Sequence, residues 1–163
     1  MRSLGHYFNP HKTLQDKIGL GGSSYELVYA IPAVVEYLGS GDGPSKWEGI
    51  IRHETELQET LLRYLTGRDD VIVWGERSSD ARLRVPTISF TVRGWNSKEL
   101  VESVEKETNF GFRFGTFYSV RLVTELLGLV GEGDAGVVRV SMVHYNTGNF
   151  LHLQTSLLIR VAN

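Results

Sequence analysis

Gly131-Glu132-Gly133-Asp134-Ala135-Gly136 matches, letter for letter, the glycine pattern that cradles a dinucleotide pyrophosphate. That chemistry needs the glycines to follow a strand and open a helix, so that the helix N–H groups face the phosphates. Here the apolar patterning puts a helix before the run and a strand after it, so the run reads as a tight surface turn. His53-Glu54 opens as a zinc-protease helix motif would, but Leu57 stands where the second His is required. The other His residues are scattered, and no metal site is expected. No G-x-S-x-G elbow is present. The absence of Cys from the sequence removes a thiol nucleophile, a zinc ribbon and an iron–sulfur site. Gly19-Leu20-Gly21-Gly22-Ser23-Ser24 leads into a helix start, where backbone N–H groups suit a phosphate; a plain glycine-rich turn is the alternative.

The elements that would position such groups follow from spacing. Leu27, Val28, Ile31, Val34, Val35 and Leu38 recur at helical steps after Ser24, with Pro32 predicting a kink or a late start. Residues 39–44, Gly-Ser-Gly-Asp-Gly-Pro, form a linker. Ser45 and Glu48 make a capping box for a helix that Gly67 stops after Thr66. Val71–Trp74 and Thr87–Val92 read as strands, separated by a polar, exposed loop at 75–84. Asn96 or Ser97 caps a helix over 98–107. Gly111–Phe114 is a third strand, Thr116–Leu129 a helix, Gly136–Met142 a fourth strand, and Thr147–Val161 a closing helix capped by Asn146.

This order predicts an α+β fold: a small, largely antiparallel sheet covered by helices, with an N-terminal arm and helix outside the layer. Two regions are expected, 1–44 for the arm, glycine-rich loop and helix, and 45–163 for the layer.

Composition narrows the function classes. The 163 residues hold 17 Lys+Arg against 19 Asp+Glu, a formal net charge of −2, which gives no electrostatic reason to bind nucleic acid. With 41% apolar and 22% charged residues the chain has the make-up of an ordinary globular protein. No apolar run approaches the roughly 20 residues that span a bilayer, and the N-terminus lacks a signal peptide's apolar stretch. A cytoplasmic protein acting on neither nucleic acid nor membrane is the expectation.

Two stretches carry more. The first is Gly21-Gly22-Ser23-Ser24-Tyr25-Glu26-Leu27, running into Val34-Val35-Glu36-Tyr37-Leu38. The second is Gly115-Thr116-Phe117-Tyr118, followed by Gly136-Val137-Val138-Arg139-Val140-Ser141-Met142-Val143-His144-Tyr145-Asn146-Thr147. With Arg84-Val85-Pro86-Thr87-Ile88-Ser89-Phe90 between them, the chain resembles the C-terminal part of the class V aminotransferases, in their cysteine desulfurase-like branch. The resemblance covers the chain from about residue 6. It implies a small domain of a pyridoxal-phosphate fold, with Gly22 and Ser23 at the point that reaches the cofactor phosphate of a neighbouring subunit. It implies that Arg139 binds a substrate α-carboxylate, for which a planar guanidinium fork is suited. A local cap or salt bridge is the alternative for Arg139.

The departures from the family pattern matter as much. The family's Schiff-base Lys, its Asp at the pyridine nitrogen and its ring-stacking residue lie upstream of the matched part. Lys12, Lys17, Lys46, Lys98 and Lys106 do not sit in that Lys context, and Tyr118 stands at the position of the catalytic Cys. The resemblance therefore implies neither persulfide chemistry nor a covalently held cofactor in this chain. The expected function is that of a truncated, cofactor-free relative that binds a small anionic metabolite and converts it by acid–base catalysis, as an isomerase or cyclase. Arg139 would anchor the anion, with Tyr118, His144 and Tyr145 to exchange protons. For His144-Tyr145 the alternative is structural, at the end of a strand and the cap of a helix. The alternatives for the chain are a non-catalytic binding or regulatory subunit and a fragment of a complete pyridoxal-phosphate enzyme. The apolar face at 27–38 favours a homodimer.

Overall fold

A computed structural model describes residue 13 and residues 24–39, 46–108, 111–129 and 136–148. The chain separates into two compact units, Met1–Trp47 and Glu48–Asn163.

In the first unit, helix α1 spans Tyr25–Leu38 and begins where the spacing places it. It runs through Pro32, so the late start does not occur. Gly39, at φ +92°, ends it by donating its N–H to the carbonyls of Val35 and Glu36. The left-handed φ is one that a glycine reaches without strain. The Lys46 ammonium donates to the Tyr37 carbonyl at 2.9 Å, placing a cation at the helix's negative end. None of the α1 side chains is buried.

The second unit is built on one sheet. Helix α2, Lys46–Thr66, stops before Gly67 as expected and buries Leu57, Leu61, Leu62 and Leu65. Strands β1 (Val71–Trp74) and β2 (Thr87–Val92) follow, then helix α3 (Ser97–Glu107), β3 (Arg113–Gly115) and β4 (Val137–Ser141). The order is β1-β2-β4-β3 and every pairing is antiparallel. The α+β layer expected from the sequence is therefore the architecture observed. Alternation in β2 sets the faces: Ile88, Phe90 and Val92 are buried, and Thr87, Ser89 and Thr91 face the other way. Phe90 sits in the core with Leu61, Leu65, Leu100, Val104, Val138 and Met142. Phe90→Ala is expected to cost about 3–5 kcal/mol in urea unfolding, the range for emptying a fully buried aromatic site.

Asn96 caps α3, its Oδ1 accepting from the Lys98 N–H at 2.9 Å. Before β1, Arg68 grips Asp70: Nε donates to Oδ1 at 2.8 Å and Nη2 to Oδ2, while Nη1 donates to the Tyr64 hydroxyl at 3.0 Å. The guanidinium holds the Asp70 carboxyl below the usual carboxylate range. A lowered folded-state pKa contributes stability above the unfolded value, roughly pH 4, and loses it as pH falls through the folded value. Asp70→Asn should therefore cost stability at pH 7 and flatten the acid limb of a stability–pH curve below pH 4. An unchanged acid limb would show that the pair contributes nothing there.

Several boundaries differ from the sequence reading. The third strand is Arg113–Gly115 rather than 111–114, and the fourth is one residue shorter at each end. The expected helix over 116–129 is a turn at Thr116–Ser119 followed by a helical segment whose Leu122–Leu126 stretch is π-helical. Its Leu127 N–H reaches back five residues to the Leu122 carbonyl at 3.0 Å. The helix cannot begin at Thr116 because Phe117 and Tyr118 have φ of 51° and 62°, outside the right-handed helical range. The loop between β1 and β2 is less exposed than expected, since the half-buried Arg84 donates to the carbonyls of Glu76 and Thr87. The Asn146 Oδ1 accepts from the Val143 N–H at 2.8 Å. The closing helix beyond Gly148, the capping Ser45 and most of the 39–44 linker lie outside the described residues.

Candidate functional site

Arg139 lies at the middle of β4, opposite Ser89 on β2 and opposite Arg113 on the edge strand β3. Antiparallel partners project to the same face, so two guanidinium groups share one side of the sheet edge. Neither forms an ion pair among the described residues. They line a cleft of about 620 Å³ with Glu105, Thr116, Phe117 and Tyr118.

The cleft's rim is made by a strained turn. The Ser119 N–H donates to the Thr116 carbonyl at 2.8 Å, closing four residues. Both central residues, Phe117 and Tyr118, are left-handed. Asn-Gly ordinarily supplies such a pair; two aromatic residues hold it at a cost of roughly 1–2 kcal/mol each. The turn is fixed by a close backbone approach behind it. Gly136, at φ +79°, is packed so tightly on Gly115 that an added Cβ would lie 2.4 Å from the Gly115 carbonyl oxygen. The buried Ser97 hydroxyl donates to the Gly136 carbonyl at 2.7 Å and ties that point to α3.

The turn lays Phe117 against Arg139. The guanidinium carbon lies over the ring, 3.8 Å from its centroid, well within cation–π range. The Arg139 Nε is buried and has no hydrogen-bond partner among the described residues. A buried donor left unmade costs about 1–3 kcal/mol, so it marks a place for an acceptor.

Of the residues singled out in the sequence, Arg139 and Tyr118 line this cleft; the Tyr118 side chain is fully exposed at its rim. His144 and Tyr145 do not line it. Gly115 at the end of β3 pairs with Val137 at the start of β4, so the Phe117-Tyr118 turn lies at one end of β4. His144-Tyr145 follow its other end, roughly 13 Å along the strand. Their rings meet edge to face at 5.3 Å, with Tyr145 exposed. Gly22 and Ser23 lie outside the described residues.

Sequence reasoning weighed His53 only as a metal ligand and gave Arg113 and Phe117 no role of their own. The His53 Nε2 donates to the Asn146 carbonyl at 2.7 Å, pinning the turn after β4 to α2. That contact joins residues 93 apart, and no local pattern signals it. Arg113 opposite Arg139 was within reach, had the register of the third strand been fixed.

Among the described residues no group of His, Asp and Glu could hold a metal ion. No lysine among the described residues lines the cleft. Lys46 caps α1, and Lys98 pairs with Glu102 at 3.7 Å along α3. Among the described residues the cleft therefore has no amine for a pyridoxal-phosphate aldehyde. No helix among them is long and apolar enough to cross a membrane.

Comparison with known proteins gives this arrangement its context. No model of a known protein family matches the chain. An aminotransferase-like protein of Gibberella zeae, FGM3, is 48% identical over 148 residues, which is 90% of this chain and 36% of that protein. The chain is similar to proteins described as aminotransferase-like and cysteine desulfurase-like. A cysteine desulfurase-like protein of Aspergillus flavus, ustD, is 36% identical over 148 residues, 33% of its length. The nonribosomal peptide synthetase-like enzyme fsqF of Aspergillus fumigatus is 36% identical over 149 residues, 10% of its length. The chain thus spans about a third of the first two relatives. The fold agrees: the cysteine desulfurase CsdA of Escherichia coli superposes with a TM-score of 0.68 at 19% identity, over 90% of this chain and 32% of that one. A cysteine desulfurase of Thermococcus onnurineus gives 0.57 at 20% identity, over 69% and 26%. The chain therefore shares the small α+β layer of these desulfurase structures.

Proposed function

We propose that the second unit binds the carboxylate of a small anionic metabolite in the Arg139 cleft. One observation carries this reading: the Arg139 Nε is buried without a partner in a cleft where the guanidinium is already held from one side. A carboxylate satisfies that donor and a second guanidinium N–H together, in a charge-assisted fork. The resemblance set out above gives the same Arg the same role. Arg113 adds a second positive charge to the cleft, and Glu105 on its wall disfavours anions that are not oriented.

Binding needs no cofactor in this reading. An isomerase- or cyclase-type conversion in the cleft would draw its proton transfers from Tyr118 or Glu105, because His144 and Tyr145 stand at the other end of β4. The expected homodimer belongs to the same proposal, resting on the uncovered side chains of α1. The test is a titration of the full chain with acetate, L-alanine, L-aspartate and succinate, followed by ¹H–¹⁵N correlation of the arginine side chains at constant chloride. Saturable movement of the Arg139 Nε–H signal is expected. Shifts that chloride alone reproduces would end the carboxylate reading.

A further inference from the structure

We propose that Phe117 is the positioning residue of this site, holding Arg139 in its carboxylate-accepting orientation. The inference rests on the carboxylate reading of the cleft and adds how the fold prepares it. Three observations point the same way. Phe117 and Tyr118 adopt left-handed backbone at φ 51° and 62°, where neither residue type gains anything locally. The result of that conformation is the stack of the Phe117 ring on the Arg139 guanidinium at 3.8 Å. The guanidinium so held has a buried Nε without a partner and a like charge, Arg113, as its cross-strand neighbour.

The physical logic is preorganisation. An unrestrained Arg opposite another Arg swings away, since like charges directly opposed repel. An aromatic face attracts the cation without using any of its N–H donors. A ring over the guanidinium's face engages none of its N–H donors, and a carboxylate approaches in the guanidinium plane. Strain is thus placed where a ligand group must be held before the ligand arrives. The rotamer entropy otherwise lost on binding is lost during folding instead.

The experiment separates the ring from the turn. Phe117→Asn keeps a residue type at ease in the left-handed region but removes the ring. Phe117→Trp keeps a ring of greater cation affinity. Each is titrated with L-alanine and succinate beside the unmodified chain and Arg139→Lys, reading the Arg139 Nε–H signal where it exists and binding heat throughout. Thermal melting is recorded for all four. Phe117→Asn should melt at or above the unmodified chain yet bind roughly ten-fold more weakly, and Phe117→Trp should bind at least as tightly as the unmodified chain. Equal affinity of Phe117→Asn and the unmodified chain would overturn the positioning role while leaving Arg139 as the anchor. Absence of saturable binding by the unmodified chain would instead bring down the carboxylate reading, and the positioning role with it.

Discussion

Arg139→Ala is expected to remove carboxylate binding from the cleft while the second unit stays folded. The binding loss should be large, because a bidentate carboxylate makes two charge-assisted bonds of about 1.5–3 kcal/mol each, so affinity falls at least 100-fold. The stability change should be small, because three contributions oppose one another. Removing the side chain loses the stack on Phe117, worth about 0.5–2 kcal/mol. It also removes a buried donor without a partner, which costs about 1–3 kcal/mol as it stands. The repulsion across the sheet from Arg113 goes too. The last two match or exceed the first, so the variant should unfold in urea within about 1 kcal/mol of the parent. Calorimetric titration with succinate, paired with urea unfolding, reads both quantities. A variant that unfolds far more easily would show that Arg139 is held for structure rather than for a ligand. Arg139→Lys keeps the charge but loses the planar fork, and it should recover only a small part of the affinity.

Gly136→Ala should do the reverse, damaging the fold first and the site as a consequence. Alanine at φ +79° is strained by about 1–2 kcal/mol. Its Cβ would lie 2.4 Å from the Gly115 carbonyl oxygen and 2.6 Å from the carbonyl carbon, and both are backbone atoms. Neither can yield by rotating, so β3 must move off β4 where Gly115 faces Val137. The Ser97 hydroxyl, which donates to the Gly136 carbonyl, opposes any shift of β4 instead. A loss of about 3–4 kcal/mol follows, in the range of overpacking added to backbone strain. Urea unfolding with an unchanged m-value measures it. A fall of less than 1 kcal/mol would mean that the two glycines are not held together as tightly as the structure has them.

What the sequence disclosed depended on the range over which each signal acts. β1 and β2 were legible to the residue, since alternation or a short apolar run between turn formers is a local property. So was the end of α2 at Gly67, while the cap of α3 was narrowed to Asn96 or Ser97, of which the structure has Asn96. The turn at Thr116–Ser119 was not. Phe117, Val120, Leu122 and Val123 have helical spacing, and nothing in Phe-Tyr announces left-handed backbone. Tertiary forces impose it, through the Gly115–Gly136 contact behind and the Arg139 guanidinium in front. The site was legible in the same measure. Arg139 and Tyr118 come from separate stretches and do meet in one cleft. His144 and Tyr145 sit five and six positions beyond Arg139, but an extended strand carries them away where a helix would have brought them back. Arg113 needed the pairing register, which composition does not encode.

The order β1-β2-β4-β3 also determines when the cleft exists during folding. β1 and β2 are near neighbours along the chain, and α2 leads directly into them, so these parts can associate over short loops. β4 must return across the whole of α3 and β3 before it lies beside β2, where Thr87 and Ser141 meet at a separation of 54 residues. That closure is slow and comes after the local pairings. Every cationic group of the cleft is on β3 or β4, so a partly folded chain with α2, β1 and β2 in place has no anion site. If the cleft binds a carboxylate as proposed, that ligand would recognise only molecules that have completed the last pairing. Its presence would favour the finished state by mass action and slow unfolding without accelerating the early steps.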